Sequence, residues 1–283
     1  MGVSHLLKID RARLALSNAD TAWIDRLMKD RAALGLGPLP PDNIAIKYNG
    51  QSARTAFTRA LPMYKAFLYG ARDMGFQLSP ASLLLDFGCG WGRFSQVALR
   101  DFHLGKIYGV DVSNEALRLC IDAGVPTGLI KLPTSLSPIQ LPDASTDLII
   151  SNSVFSHLSE IAAKHYISEF HRVLKPGGVA AFTTRPIAMF DYLERIHQRQ
   201  RSEDIPEHEK MLMKAYPEPE KDRANYLRGE FVYKGNVHLE HYGEAAIPPQ
   251  WISGFPRQLF AAAEFLPAET SGLEQSVIFC RKG

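Results

Sequence analysis

The chain has 283 residues, 46% of them hydrophobic and 22% charged, with 32 Lys and Arg against 30 Asp and Glu for a formal net charge of +2. That length holds one large domain with additions, and the composition is that of an ordinary globular protein. A charge so near zero excludes a global field for gripping nucleic acid, no apolar run is long enough to cross a bilayer, and the three widely spaced cysteines fit neither a disulfide framework nor a metal pattern, so a reducing, cytoplasmic setting is expected.

Met1 to Arg13 is charged and lacks the apolar centre of a secretory signal, and Leu6 stands where a myristoylation signal wants Ser or Thr. Asp20 to Leu34 reads as a helix with Trp23, Leu27 and Leu34 on one face. The turn-rich stretch from Gly35 to Asn43 follows, then a second helix from about Ser52 to Met74, broken or kinked at Pro62. Strands are predicted near 82–87, 106–111, 128–132, 147–152 and 178–184, alternating with helices such as Phe94 to Phe102 and Asn114 to Asp122, the latter capped by Ser113. This alternation argues a Rossmann-like α/β fold with a mostly parallel sheet and helices on both faces. A long polar insert runs from about Pro186 to Pro249 and reads as exposed helix faces, with an aromatic and His-containing run from Tyr226 to Tyr242. Pro248 to Ala262 is partly helical, and Glu264 to Glu269 with Gln275 to Arg281 reads as an antiparallel hairpin around Ser271 and Gly272. The expected division is an N-terminal helical arm (1–75), a core (76–185), an insert (186–249) and a closing helix and hairpin (250–283).

The richest segment is Leu83-Leu84-Leu85-Asp86-Phe87-Gly88-Cys89-Gly90-Trp91-Gly92-Arg93. An apolar strand ends in an acid, and three alternate glycines lead into a helix. Glycines permit positive φ and close approach of backbone to a ligand. A dinucleotide loop reads G-x-G-x-x-G, but Arg93 occupies the place of its third glycine, and Asp86 would repel a pyrophosphate. A cationic ligand end would be attracted. The second strand ends in Asp111, 23 residues beyond Gly88, where a carboxylate can accept both ribose hydroxyls of an adenosine.

The loop resembles the glycine-rich first motif of class I S-adenosylmethionine-dependent methyltransferases. Leu141 to Leu158 looks like that family's fourth strand and the segment after it, and Arg172 to Gly178 like the helix end and turn before the fifth. The resemblance implies a seven-stranded sheet ending in an antiparallel hairpin, and S-adenosylmethionine as cofactor. Carried onto this sequence, the cofactor residues are Asp86, Gly88, Cys89, Gly90, Asp111, Val112, Ser135, Leu136, Ser153 and Val154. The acid that the family often places after the third strand is missing, which leaves Ser135 and Leu136 as candidates for adenine contact through their backbone. Cys89 is read as a small side chain of permissive size rather than a nucleophile.

His157, just beyond the fourth strand, is the candidate general base, with capping of the following helix as the alternative. Tyr48, Asn49, Gly50 and Arg54 are candidates to face the pocket, and the insert is a candidate substrate lid. His238, Glu240 and His241 lack a third good ligand for a metal, and no metal is expected. The post-strand segment Ser151-Asn152-Ser153-Val154-Phe155 lacks the Asn/Asp-Pro-Pro-aromatic signature of nucleobase or protein amine methylation. Ser153 to Leu158 together with Tyr242 to Ala245 is similar to bacterial small-molecule and glycan-associated methyltransferases, and this resemblance implies O-methylation of a small metabolite or a sugar-containing acceptor, with no nucleic acid or membrane partner and an unspecified oligomeric state. N-methylation of a macromolecule, a nicotinamide-dependent oxidoreductase and a noncatalytic cofactor-binding module are the competing readings.

Overall fold

A computed structural model describes residues 6–134, 136–199, 205–236 and 239–283. Seven strands form one sheet: β1 (Leu84–Phe87), β2 (Ile107–Asp111), β3 (Gly128–Lys131), β4 (Thr146–Ser151), β5 (Leu174–Thr184), β8 (Ala262–Leu266) and β9 (Ser276–Arg281). Their order is β3-β2-β1-β4-β5-β9-β8, with the first five parallel and β9 antiparallel to both β5 and β8. All four residues of β1 are buried, as expected of a central strand covered on both faces. The order reverses direction beside β1, so the carboxyl ends of β1, β2 and β4 flank the crevice where such sheets bind ligands.

One face of the sheet is covered by the N-terminal segment. The helix Ala53–Asp73 sends Phe57, Leu61, Tyr64 and Phe67 into a core shared with Leu84, Ile150, Val179 and Phe279. It is one element of 21 residues and runs through Pro62 instead of breaking there. Its apolar stripe, buried against the sheet, outweighs the roughly 3 kcal/mol penalty of an interior proline. Ser17 caps the helix Asn18–Lys29 in a reciprocal box with Asp20, and Asp20 is itself held by Lys65 at 2.9 Å and by Arg100, which ties the N-terminal helices to that long helix. The opposite face buries Phe87, Phe155, Phe170 and Phe182 as one aromatic cluster.

The insert is not purely helical. After the helices Ala188–Gln198, Glu207–Ala215 and Pro219–Leu227 come two strands, β6 (Val232–Asn236) and β7 (Leu239–Ala246), which form a separate antiparallel pair. Phe190, Leu193, Tyr216, Tyr226 and Val232 give the insert its own small core. The closing helix is two short pieces, Pro249–Ile252 and Phe255–Leu259.

Candidate active site

The glycine loop leaves β1 with positive φ at Gly88 (76°), Gly90 (54°) and Gly92 (79°). At Gly88 a Cβ would also meet Val154 Cγ2 at 2.2 Å, so the loop lies directly against the segment after β4. At Gly90 a Cβ would meet nothing within 4 Å, so the backbone there is bare toward open space. The loop amides are already engaged. Gly88 and Cys89 N–H donate to the Val110 carbonyl at 2.7 and 3.0 Å, Gly90 N–H to Asp111 Oδ2 at 2.9 Å, and Gly92 N–H to the Cys89 carbonyl at 2.9 Å. A loop so wired offers apolar close approach and not the row of free amides that a pyrophosphate needs.

Asp111 accepts Gly90 N–H on one oxygen and Ser113 N–H, at 2.8 Å, on the other. Each carboxylate oxygen keeps a further lone pair, and the residue lines the main cavity, where a pair of hydroxyls can donate to it. Asp86 behaves differently. It is 2% exposed, is absent from the cavity wall, and accepts the Ser95 N–H at 3.0 Å and the Ser95 hydroxyl at 2.7 Å. Burial pushes its carboxyl up to about 6, against the opposing effects of Ser95 and the more distant Arg93. The expectation that two carboxylates face the ligand is corrected to one: Asp86 lies under the loop and fixes its exit into the helix Arg93–Ala98.

The main cavity has a volume of about 550 Å³, a size suited to a small-molecule ligand. Cys89, Val112, Ser153 and Val154 lie on its wall with Gly88, Gly90 and Asp111. Leu136 does not. It is exposed, and Leu132, Pro133 and Thr134 form the wall after β3, while Ser135 lies outside the described residues. Cys89 is buried with its sulfur 3.9 Å from that of Cys120; the hydrogen bond between them, and then burial, push its thiol well up, away from the reactive thiolate.

His157 is not on the cavity wall; its ring stacks on Tyr242 at 5.2 Å and 17°, and Tyr242 is. A carbonyl can only accept, so His157 Nδ1 carries the proton that it donates to the Gly243 carbonyl at 2.8 Å, with Glu244 at 3.4 Å. Glu244 is paired in turn with Arg185. Burial acts to raise the Glu244 carboxyl, but His157 and Arg185 hold it below its usual range. Backbone bonds fasten the same stretch: Ser159 N–H to the His241 carbonyl, Gly243 N–H to the His157 carbonyl and Ala245 N–H to the Ser156 carbonyl. Strand β7 thus docks on the segment after β4 and carries Tyr242 to the cavity mouth.

Of the N-terminal candidates, Tyr48 lines the main cavity and an adjoining one, whereas Arg54 pairs with Asp25 at 2.7 Å and Gly50 is off both walls. The side chain of Asn49 lies outside the described residues. His238 is also outside them, and His241 Nδ1 bonds the Ser159 hydroxyl at 3.1 Å. Among the described residues no group of three His, Cys, Asp or Glu is placed to hold a metal. Sequence reasoning passed over Trp91, Arg93 and Gln275. Arg93 was visible as the residue that breaks the dinucleotide pattern, but no sequence signal marks the other two.

Residues 85–182 match the family model of a methyltransferase domain. A malonyl-[acyl-carrier protein] O-methyltransferase of Yersinia pestis is 31% identical over 180 residues, covering 60% of this chain and 62% of that protein. The dimethylglycine N-methyltransferase of Parasynechococcus marenigrum is 30% identical over 115 residues, 39% of this chain and 40% of that protein. Among solved structures, an S-adenosylmethionine-dependent methyltransferase from Mesorhizobium loti is 28% identical with a TM-score of 0.34, covering 44% of this chain and 56% of that one. The chain spans 62%, 53% and 42% of the lengths of three malonyl-[acyl-carrier protein] O-methyltransferases that it matches. The sheet order, the glycine loop and the acid at the end of β2 frame a crevice where α/β sheets of this order bind ligands. Residues 85–182 thus carry a methyltransferase domain, and the curated relatives that the chain is similar to are themselves named as methyltransferases.

Proposed function

We propose that this protein transfers a methyl group from S-adenosylmethionine to an oxygen of a small acceptor. The observation that carries the reading is the main cavity itself: bare backbone at Gly90, Gly88 closed against Val154 beside it, the Asp111 carboxylate on one side, and Tyr242 from the insert on another. These residues fit the cofactor. Asp111 would hold the ribose hydroxyls, Leu132 to Thr134 and Val112 would flank the base, and Gly88, Ser153 and Val154 would lie along the amino-acid end. When bound, the cofactor supplies a methyl group on an already activated sulfonium. The chain's task is then alignment, and holding two reactants in register is worth up to about 7–11 kcal/mol of a barrier.

The walls of the main cavity carry no His, Lys or Glu among the described residues. His157 acts in this reading as a positioning residue for Tyr242 and not as the base. The family relatives named as O-methyltransferases of an acyl group support an oxygen acceptor over an amine. Calorimetry tests the reading: S-adenosylhomocysteine binds, NAD does not, and Asp111→Asn weakens binding about 10–100-fold, as expected for one or two charge-assisted bonds of about 1.5–3 kcal/mol. Labelled methyl then appears on small carboxylated or hydroxylated compounds. Incorporation only into tRNA or protein, or an unchanged affinity in Asp111→Asn, would refute it.

A further inference from the structure

A second cavity of about 450 Å³ adjoins the first and shares with it Tyr48, Arg93, Phe94, Asn152 and Ser153. Its other walls come from the long N-terminal helix and from the turn before β9. The charges around it balance. Arg59 pairs with Glu274, and Arg93 has Asp86 and Glu274 in electrostatic reach. Above about pH 6, where Asp86 is ionised, two cations stand against two carboxylates, and an ion gains no net attraction there. Two amides on the wall are not satisfied. Gln51 and Gln275 each bury an amide oxygen that has no hydrogen-bond partner among the described residues. Gln275 Nε2 donates to the Ser153 hydroxyl at 2.8 Å, and Ser153 N–H donates to Thr183 Oγ1 at 2.7 Å. Ser153 sits at φ 61°, an uncommon backbone conformation for a residue other than glycine, of the kind that gathers at binding sites. Held so, its hydroxyl has accepted from Gln275 and keeps its own proton to give.

Orphaned buried amides are costly unless a ligand completes them. An amide oxygen without a partner asks for a donor. Turned over, Gln275 would accept the Ser153 proton on its oxygen and leave its nitrogen alone, which asks for an acceptor instead. The group that answers either arrangement both gives and takes hydrogen bonds. A carboxylate gives none at neutral pH, an ammonium takes none, and the balanced charges favour neither. We propose that the second cavity recognises the acceptor and holds a neutral hydroxyl or amide group of it against Gln51, Gln275 and Ser153. This rests on the methyltransferase reading and deepens it by naming the acceptor's chemical class. The group held there is a handle and not the oxygen that is methylated. Because Asn152 and Ser153 belong to both walls, the handle fixes the rest of the acceptor beside the ligand of the main cavity.

Ligand-observed NMR on the full chain saturated with S-adenosylhomocysteine tests this with four probes. Malonamide is neutral and gives and takes through amides, and glycerol does so through hydroxyls. Dimethyl malonate is neutral and only takes, and malonate is charged and only takes. In the parent, malonamide or glycerol is expected to bind about tenfold more tightly than dimethyl malonate and malonate, and the tighter of the two tells an amide from a hydroxyl handle. Gln51→Met and Gln275→Met should each weaken that probe about fivefold, as the loss of one neutral hydrogen bond does, while S-adenosylhomocysteine binds as in the parent. Equal binding of all four probes, binding of none, or tightest binding of malonate overturns the inference. So does a selective loss of S-adenosylhomocysteine in the variants against 5′-methylthioadenosine, which lacks the amino-acid end, because the amides would then serve the cofactor. Retained 5′-methylthioadenosine binding shows that a variant is folded, and where one variant does not fold, the other and the order of probes in the parent still decide. If the parent binds no S-adenosylhomocysteine, it is the methyltransferase reading that fails, and the acceptor assignment with it.

Discussion

Gly88→Ala and Gly90→Ala differ in one physical respect, and the comparison isolates it. Both residues have positive φ, so alanine at either position meets the left-handed backbone penalty of about 1–2 kcal/mol. Only at Gly88 does the new methyl group strike something: Val154 Cγ2 at 2.2 Å, well inside contact distance. Valine is β-branched and has few alternative χ1 wells, and its neighbour Ser153 is itself at φ 61°, so the segment cannot easily step back. Overpacking of this kind adds about 1–3 kcal/mol. The expected losses are therefore roughly 2–5 kcal/mol for Gly88→Ala and about 1–2 kcal/mol for Gly90→Ala. Thermal denaturation followed by circular dichroism reads this as a drop in Tm of about 2–4 °C per kcal/mol. Binding separates the two in the opposite sense, because the methyl group at Gly90 enters open space on the cavity wall and competes with the ligand. Equal destabilisation of the two variants would refute the close approach of the loop to Val154.

Two further perturbations address the charges around the site. Asp86 has its carboxyl raised from 3.8 to about 6 by burial, so the folded state binds more protons than the unfolded one between about pH 4 and 6. Its contribution is thus fully present below pH 4 and lost as pH rises through 6, by about 3 kcal/mol; urea midpoints should fall across that window in the parent and not in Asp86→Asn, and parallel curves would remove the assignment. His157→Asn should lose less than tenfold in kcat/KM and leave the shape of the pH–rate profile unchanged if the ring only positions Tyr242. A loss of about 10²–10⁴ with a vanished limb near neutral pH would restore it as the base.

The sheet was legible because its signals are local. Each strand is a short apolar run, closed by an acid and Gly at β1, an acid at β2, Ser at β4 and a nearby Pro at β3 and β5, and the structure sets the five parallel strands within a few residues of those runs. The loop, with its three alternate glycines, and Asp111 were legible for the same reason. Which way Asp86 points was not: β1 is buried on both faces, so alternation says nothing about whether an acid at its end looks into the crevice or back under the helix. Ser95 settles it by offering two donors to one oxygen. The β6–β7 pair escaped notice because Lys234, Gly235 and Asn236 interrupt the alternation that marks a strand. Its docking depends on backbone partners at Ser156, His157 and Ser159, more than 80 residues away. Gln275 and Ser153 meet across 122 residues because the antiparallel strand β9 lies beside β5.

The two cavities draw on different parts of the chain, and this division explains what similarity to other methyltransferases carries over. The wall of the main cavity comes chiefly from Phe87 to Val154, within the stretch 85–182 that matches the methyltransferase domain. The second cavity takes Gln51, Arg59 and Met63 from the helical segment before that stretch and Glu274 and Gln275 from the turn after it, and the mouth of the first takes Tyr242 from the insert. In the proposed reading the glycine loop and Asp111 hold the adenosyl ligand, and the flanking segments bound the space beside it. The relatives that the chain is similar to carry different acceptors in their names, a malonyl-[acyl-carrier protein] in one and dimethylglycine in another. Arg93, at the start of the helix that follows the glycine loop, stands at the junction of the two cavities with Asp86 and Glu274 in electrostatic reach. What the flanks add to that junction is Gln51, Arg59, Glu274 and Gln275, residues outside the stretch that matches the methyltransferase domain.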